Sequence, residues 1–307
     1  NAGTLIVKGP NNYSGGTTVS GGILQGDTTS LKGDIINNAA VVFNQASEGT
    51  YAGIISGSGS VTKQNAGTLI VTGPNTYTGK TTVSEGTLQG NTTSLTGDII
   101  NNAAVVFNQV SEGTYAGIIS GTGSVTKQNA GTLIVKGPNN YSGGTTVSGG
   151  TLQGDTTSLK GDIINNAAVV FDQVNEGTYA GAISGSGSVT KQNTGTLIVT
   201  GVSTYTGATT VSAGTLQGNT TSLPGNILNN AAVVFDQEID GTYAGAISGP
   251  GSVTKQNVGI LVVTGANDYK GGTLVSAGTL QGDTTSLQGN ISNNATVVFN
   301  QATNGTY

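Results

Sequence analysis

The chain has 307 residues, 52 of them glycine, with a net charge of −5 and only 8% charged residues. It contains no Cys, His, Met or Trp, and all ten basic residues are Lys, which excludes disulfides, thiolate or imidazole chemistry and the usual zinc ligand sets. The charge is evenly spread with no basic run, so neither nucleic acid nor an anionic membrane surface is an expected partner, and no apolar run approaches the roughly 20 residues of a membrane-spanning helix.

A single period organises the sequence. Gly3–Gly26 returns as Gly67–Gly90, Gly131–Gly154, Gly195–Gly218 and Gly259–Gly282, each return 64 residues on (67 − 3). The repeats run 1–64, 65–128, 129–192, 193–256 and 257–307, the last incomplete, and are expected to form one continuous solenoid. The chain starts and stops inside the pattern, so an excerpt of something longer is expected. The absence of Cys suits a chain that crosses an oxidising periplasm unfolded.

Within the first copy, Thr4–Val7 is a β-branched run between glycines and reads as a strand. Gly9-Pro10-Asn11-Asn12 is turn chemistry. Tyr13 and Gly15-Gly16 lead into a strand at Thr17–Ser20, and Gly21-Gly22 turns into Ile23–Gln25. A polar bend at Asp27–Ser30 precedes Leu31 and the strand Asp34–Ile36. Asn37-Asn38 turns into Ala40–Asn44, the most apolar strand. Glu48-Gly49 is a turn, and the strands Tyr51–Ile55 and Ser60–Lys63 close the copy. This gives some eight or nine short strands and no helical periodicity.

Comparison among the copies gives the direction of side chains. Position 36 drifts from Ile36 to Leu228 and Ser292, whereas Ile35 recurs as Ile99, Ile163, Ile227 and Ile291. Ile23 becomes Thr87, but Leu24 never changes. Such period-two alternation marks strands with one buried face. The predicted core is Leu5, Val7, Val19, Leu24, Leu31, Ile35, Val41, Phe43, Ile55 and Val61 with their equivalents. A third of the repeat, about 21 residues, suits one coil of a three-sided parallel β-helix with strands about 4.8 Å apart. The predicted fold is therefore all-β: a single-stranded parallel β-helix with about three coils per repeat and some fourteen coils in all.

The pattern Gly3-Thr4-Leu5-x-Val7-x-Gly9, Tyr13-x-Gly15-Gly16-Thr17-Thr18-Val19 and Gly22-x-Leu24-Gln25-Gly26, with the lead-in Ile55–Lys63, resembles the passenger-associated transport repeat of bacterial autotransporters. The resemblance implies a Gram-negative cell-surface or secreted passenger and a right-handed β-helix. It also implies a partner, the outer-membrane β-barrel translocator of the same parent chain, and a role as scaffold that assists export and folding. The motif carries no catalytic residues. Copy five departs most, with Leu274 in place of Thr18 and Ala266 in place of Pro10.

Motifs that could carry chemistry read as turns. Pro74–Thr81 is similar to a phosphate loop, but its glycine spacing is wrong and Lys80 is replaced by Gly16, Gly144, Ala208 and Gly272. Asp27 and Asp34 interchange with Asn91, Asn219, Asn226 and Asn290, as caps do and general acids do not. Lys32-Gly33-Asp34 is lost at Thr96, Pro224 and Gln288. No catalytic residue, cofactor or metal site is expected. Tyr13, Tyr77, Tyr141, Tyr205 and Tyr269 recur beside glycine-rich bends. Either they form an aromatic ladder that stacks on glycans, or each covers a corner of the core with its hydroxyl bonded to a turn. The expected function is a non-enzymatic stalk. The alternatives are an adhesin for host or biofilm glycans and a filament of like chains paired end to end through exposed β-edges.

Overall fold

The computed structural model describes residues 2–307. The chain falls into two compact units, one up to Leu152 with Thr157–Gly161, the other Gln153–Thr156 with Asp162–Tyr307. Both are parallel β-solenoids, and the described residues contain strands and turns but no helix.

In the first unit the strands of copy one are β1 (Thr4–Ile6), β2 (Thr17–Val19), β3 (Ile23–Gly26), β4 (Ile35–Asn37), β5 (Ala40–Asn44), β6 (Gly49–Tyr51), β7 (Ile55–Ser56) and β8 (Ser60–Gln64). Each pairs in parallel with strands of the adjacent turns. Leu5 stands opposite Leu24, Leu24 opposite Val41, and Val41 opposite Val61. The column then passes through Thr81 and Ile99 to Ile119. From β5 the chain visits a second sheet with β6, a third with β7, and returns to the first with β8, so each turn has three sides. The expected strand at Tyr51–Ile55 is divided. Gly49–Tyr51, read from sequence as partly turn, is β6, and the chain corners at Ala52–Ile54 before β7.

Turns are shorter than the 21 residues expected because the corners are so tight. Three turns carry the column from Leu5 to Val61, which is 56 residues (61 − 5). The remaining eight residues of the repeat carry the chain to the next side, so Leu69 pairs with Gly49 in a different sheet from Leu5. One repeat is thus three turns and a third. The second unit behaves alike. Leu197, Leu216, Val233 and Val253 share one sheet, and Leu261 stands in another. Along the chain the winding amounts to about 15 turns.

The core follows from the alternation. Val19, Leu24, Leu31, Ile35, Val41, Phe43, Ile55 and Val61 are buried. Leu5 and Val7 are not: Leu5 is 64% exposed, since β1 has a partner strand on one side only, whereas its equivalents Leu69, Leu133, Leu197 and Leu261 are fully covered. Ile36 faces outward, as its drift among copies predicts. Phe43 meets Tyr51 edge to face with ring centroids 5.0 Å apart, and the pair recurs in every copy.

Candidate functional site

The Tyr13 series falls into two environments. Tyr77, Tyr141, Tyr205 and Tyr269 are only 3–5% exposed. Each shares a hydrogen bond of 2.5–2.7 Å with the hydroxyl of Thr81, Thr145, Thr209 or Thr273. A sugar stacks on an open ring face, and none of these four offers one. They cover corners of the core with the hydroxyl bonded, and burial raises their pKa values. Tyr13 is 37% exposed, and its hydroxyl oxygen accepts from the Lys32 amide at 2.9 Å. The second tyrosine series is also interior: Tyr51, Tyr115 and Tyr243 donate to the carbonyls of Gly33, Gly97 and Gly225, each at 2.5 Å.

The most unusual groups in the core are lysines. Lys63, Lys127, Lys191 and Lys255 are fully buried. Nζ of Lys63 donates to the carbonyls of Gln64 at 3.0 Å, Asn65 at 2.5 Å and Glu85 at 3.0 Å. The same cradle closes around Lys127, Lys191 and Lys255. It is shaped by Asn65, Asn129, Asn193 and Asn257, which hold positive φ of 65–69° and turn their carbonyls inward. Burial pulls each lysine pKa below the ordinary value, while three acceptors satisfy all three protons of the ammonium form. An ammonium so occupied offers neither a lone pair nor a spare proton for chemistry. Core prediction passed over these lysines because of their charge, although Lys63 sits two residues after Val61 in the inward phase and recurs in copies one to four.

The remaining sequence candidates are corners. Oδ1 of Asp27 accepts from the Thr29 amide, the Thr29 hydroxyl and the Ser30 amide, and Oδ1 of Asn91 does the same with Thr93 and Ser94. An amide and a carboxylate serve equally as acceptors here, which explains their interchange. In Lys32-Gly33-Asp34 the Lys32 ammonium bonds the Thr28 carbonyl at 2.7 Å and Asp34 accepts from the Ile54 amide at 2.8 Å. In Pro74–Thr81 the amides of Thr76 and Thr78 are bonded to the carbonyls of Ile55 and Gly57, and a Cβ at Gly79 would lie 2.2 Å from the Gly59 carbonyl oxygen. That loop is stacked on the preceding turn and has no cradle for phosphate. Among the described residues no three His, Cys, Asp or Glu converge, and no helix is long and apolar enough to cross a membrane.

The passenger-associated-transport-repeat family matches the chain five times, at residues 1–25, 61–89, 125–153, 189–217 and 253–281. The chain is an array of passenger-associated transport repeats. Each match from the second on opens just before the buried lysine, at Val61, Val125, Val189 or Val253. It runs through the left-handed Asn and the tyrosine corner, so what recurs in these repeats is packing. Autotransporter passengers are secreted and displayed on the bacterial cell surface, and these repeats place the chain there. A curated relative is the adhesin BmaC autotransporter of Brucella suis biovar 1 (strain 1330), 32% identical over a 210-residue alignment that covers 56% of this chain and 6% of that protein. No solved structure matches the chain.

Proposed function

We propose that this transport-repeat array is a non-enzymatic stalk within a surface-displayed autotransporter passenger. It holds an adhesive or effector region away from the outer membrane and helps that region through export. The observation that carries the reading is the self-similarity of the interior. The column Leu24–Val41–Val61 of copy one is met again as Leu88–Val105–Val125 in copy two, with the same register. Copies joined in this way change length without creating a new kind of interface. Buried lysines, buried tyrosines and corner glycines support a structural role for the recurring motif.

A parallel solenoid also suits export through a translocator barrel of the parent chain. Each turn completed outside offers its open edge to the next, so folding proceeds turn by turn and opposes return. The test is a series of parent proteins with one, two or three repeats removed, displayed on cells. The expected outcome is a tip epitope progressively closer to the membrane and a fall in the rate of surface appearance. An unchanged tip height would overturn the stalk, and an unchanged rate of appearance would overturn the export role.

A further inference from the structure

On one outward strip of this fold the first four copies alternate in kind. In the second copy Ile70, Thr72, Gln89, Asn91, Asn108 and Val110 line a groove of about 190 Å³. In the fourth, Ile198, Thr200, Gln217, Asn219, Asp236 and Glu238 line one of the same size at the equivalent place. Copies one and three carry Lys8 with Asp27 and Lys136 with Asp155 where copies two and four carry Thr72 with Asn91 and Thr200 with Asn219. The Gln is the same in all five copies (Gln25, Gln89, Gln153, Gln217, Gln281), although its side chain is on the outward phase of its strand.

We propose that the grooves of copies two and four are binding subsites for neutral saccharides. Their lining supplies what a pyranose needs: amide and hydroxyl groups that both donate and accept, beside one aliphatic face from Ile70 or Ile198. Neighbours hold the polar groups in place. Asn129 donates to Oδ1 of Asn108 and Gln128 to Oε1 of Gln89 at 3.4 Å, while in the fourth copy Gln217 donates to Oδ2 of Asp236 at 3.0 Å and Asn257 to its Oδ1. A peptide strand has no place to pair, because the strands that line each groove are bonded on both sides. Asp236, Glu238 and the net charge of −5 disfavour sialylated or uronic glycans. The volume suits one sugar ring and is below the roughly 300–1,000 Å³ of sites that enclose a larger ligand. Each contact is therefore weak, and strong attachment comes from many chains presenting grooves to many glycans.

The test uses the full chain, labelled and clustered on beads, against arrays of neutral and acidic glycans. Binding to neutral glycans is expected. The double variant Thr72→Lys, Thr200→Lys, which installs the residue that copies one and three already tolerate, should lower it about tenfold or more at unchanged circular dichroism. Gln89→Ala with Gln217→Ala should lower it as well. Absence of binding to any neutral glycan, a preference for acidic ones, or binding unchanged by both double variants would overturn the assignment. The stalk reading is tested separately by tip height and stands or falls without it.

Discussion

The ammonium of Lys63 reaches the main-chain carbonyl of Glu85, 22 residues on and in the next turn, at 3.0 Å. Through that bond one side chain ties two consecutive turns and fills the corner between them. The same span recurs from Lys127 to Gly149, Lys191 to Ala213 and Lys255 to Ala277. Replacing Lys127 by Met keeps the aliphatic stem but takes the ammonium donor from three inward carbonyls, of which that of Gln128 keeps its bond from the Gln109 amide. Unpaired buried acceptors cost about 1–3 kcal/mol. Thermal unfolding followed by circular dichroism should show a lower midpoint, and hydrogen exchange should quicken first around residues 127–150.

Alkaline unfolding should begin near the pH at which free tyrosine ionises. Burial raises the phenol pKa of Tyr51, Tyr77, Tyr115, Tyr141, Tyr205, Tyr243 and Tyr269 above the usual value of 10.0. Below that value both states keep the proton and the contribution is complete. Above it the unfolded chain loses protons that the folded chain retains, so stability falls as pH rises. Phenolate absorbance is expected to rise together with loss of β signal, in one transition, rather than ahead of it.

At acid pH the exposed bend of copy five is informative. Hydrogen bonds from the Thr285 hydroxyl and amide and from the Ser286 amide push the Asp283 carboxyl down to about 2. Its contribution is present above the ordinary value of 3.8 and is lost as pH falls through the folded pKa. Asp283→Asn should preserve the bend, as Asn91 and Asn219 do. Titration of the wild type followed by carboxyl NMR shifts should show a transition near pH 2 that this variant lacks.

A pair of glycines separates tight corners from open ones. A Cβ at Gly53 would stand 2.1 Å from the Gly33 carbonyl oxygen, while at Gly15 it would meet nothing within 4 Å. Gly53→Ala forces two turns apart and should destabilise by about 1–3 kcal/mol, the range for overpacking. Gly15→Ala should be near neutral. Urea midpoints of the two variants measured side by side provide the comparison.

Much of this architecture was legible because five imperfect copies act as their own control. Ile35 against Ile36, and Leu24 against Ile23, separate inward from outward positions without any structure. Three features were hidden. Turn length depends on how tightly a corner closes, and contacts such as Gly53 against Gly33 are not visible in composition. The division of Tyr51–Ile55 into two strands follows from the same corner. Lys63 was hidden because its charge argues for solvent, and only the carbonyls gathered by the left-handed Asn65 make the interior hospitable. As to binding, the tyrosines drew attention by recurring, whereas the amide groove lies where copies alternate between Lys8 and Thr72.

The extra third of a turn has a consequence at the level of the gene. Near-identical 64-residue copies invite unequal recombination, and each copy gained or lost moves the next copy's strands to another side, as Leu69 stands in a different sheet from Leu5. A change in copy number therefore alters which side of the solenoid the same residues of the following copy occupy.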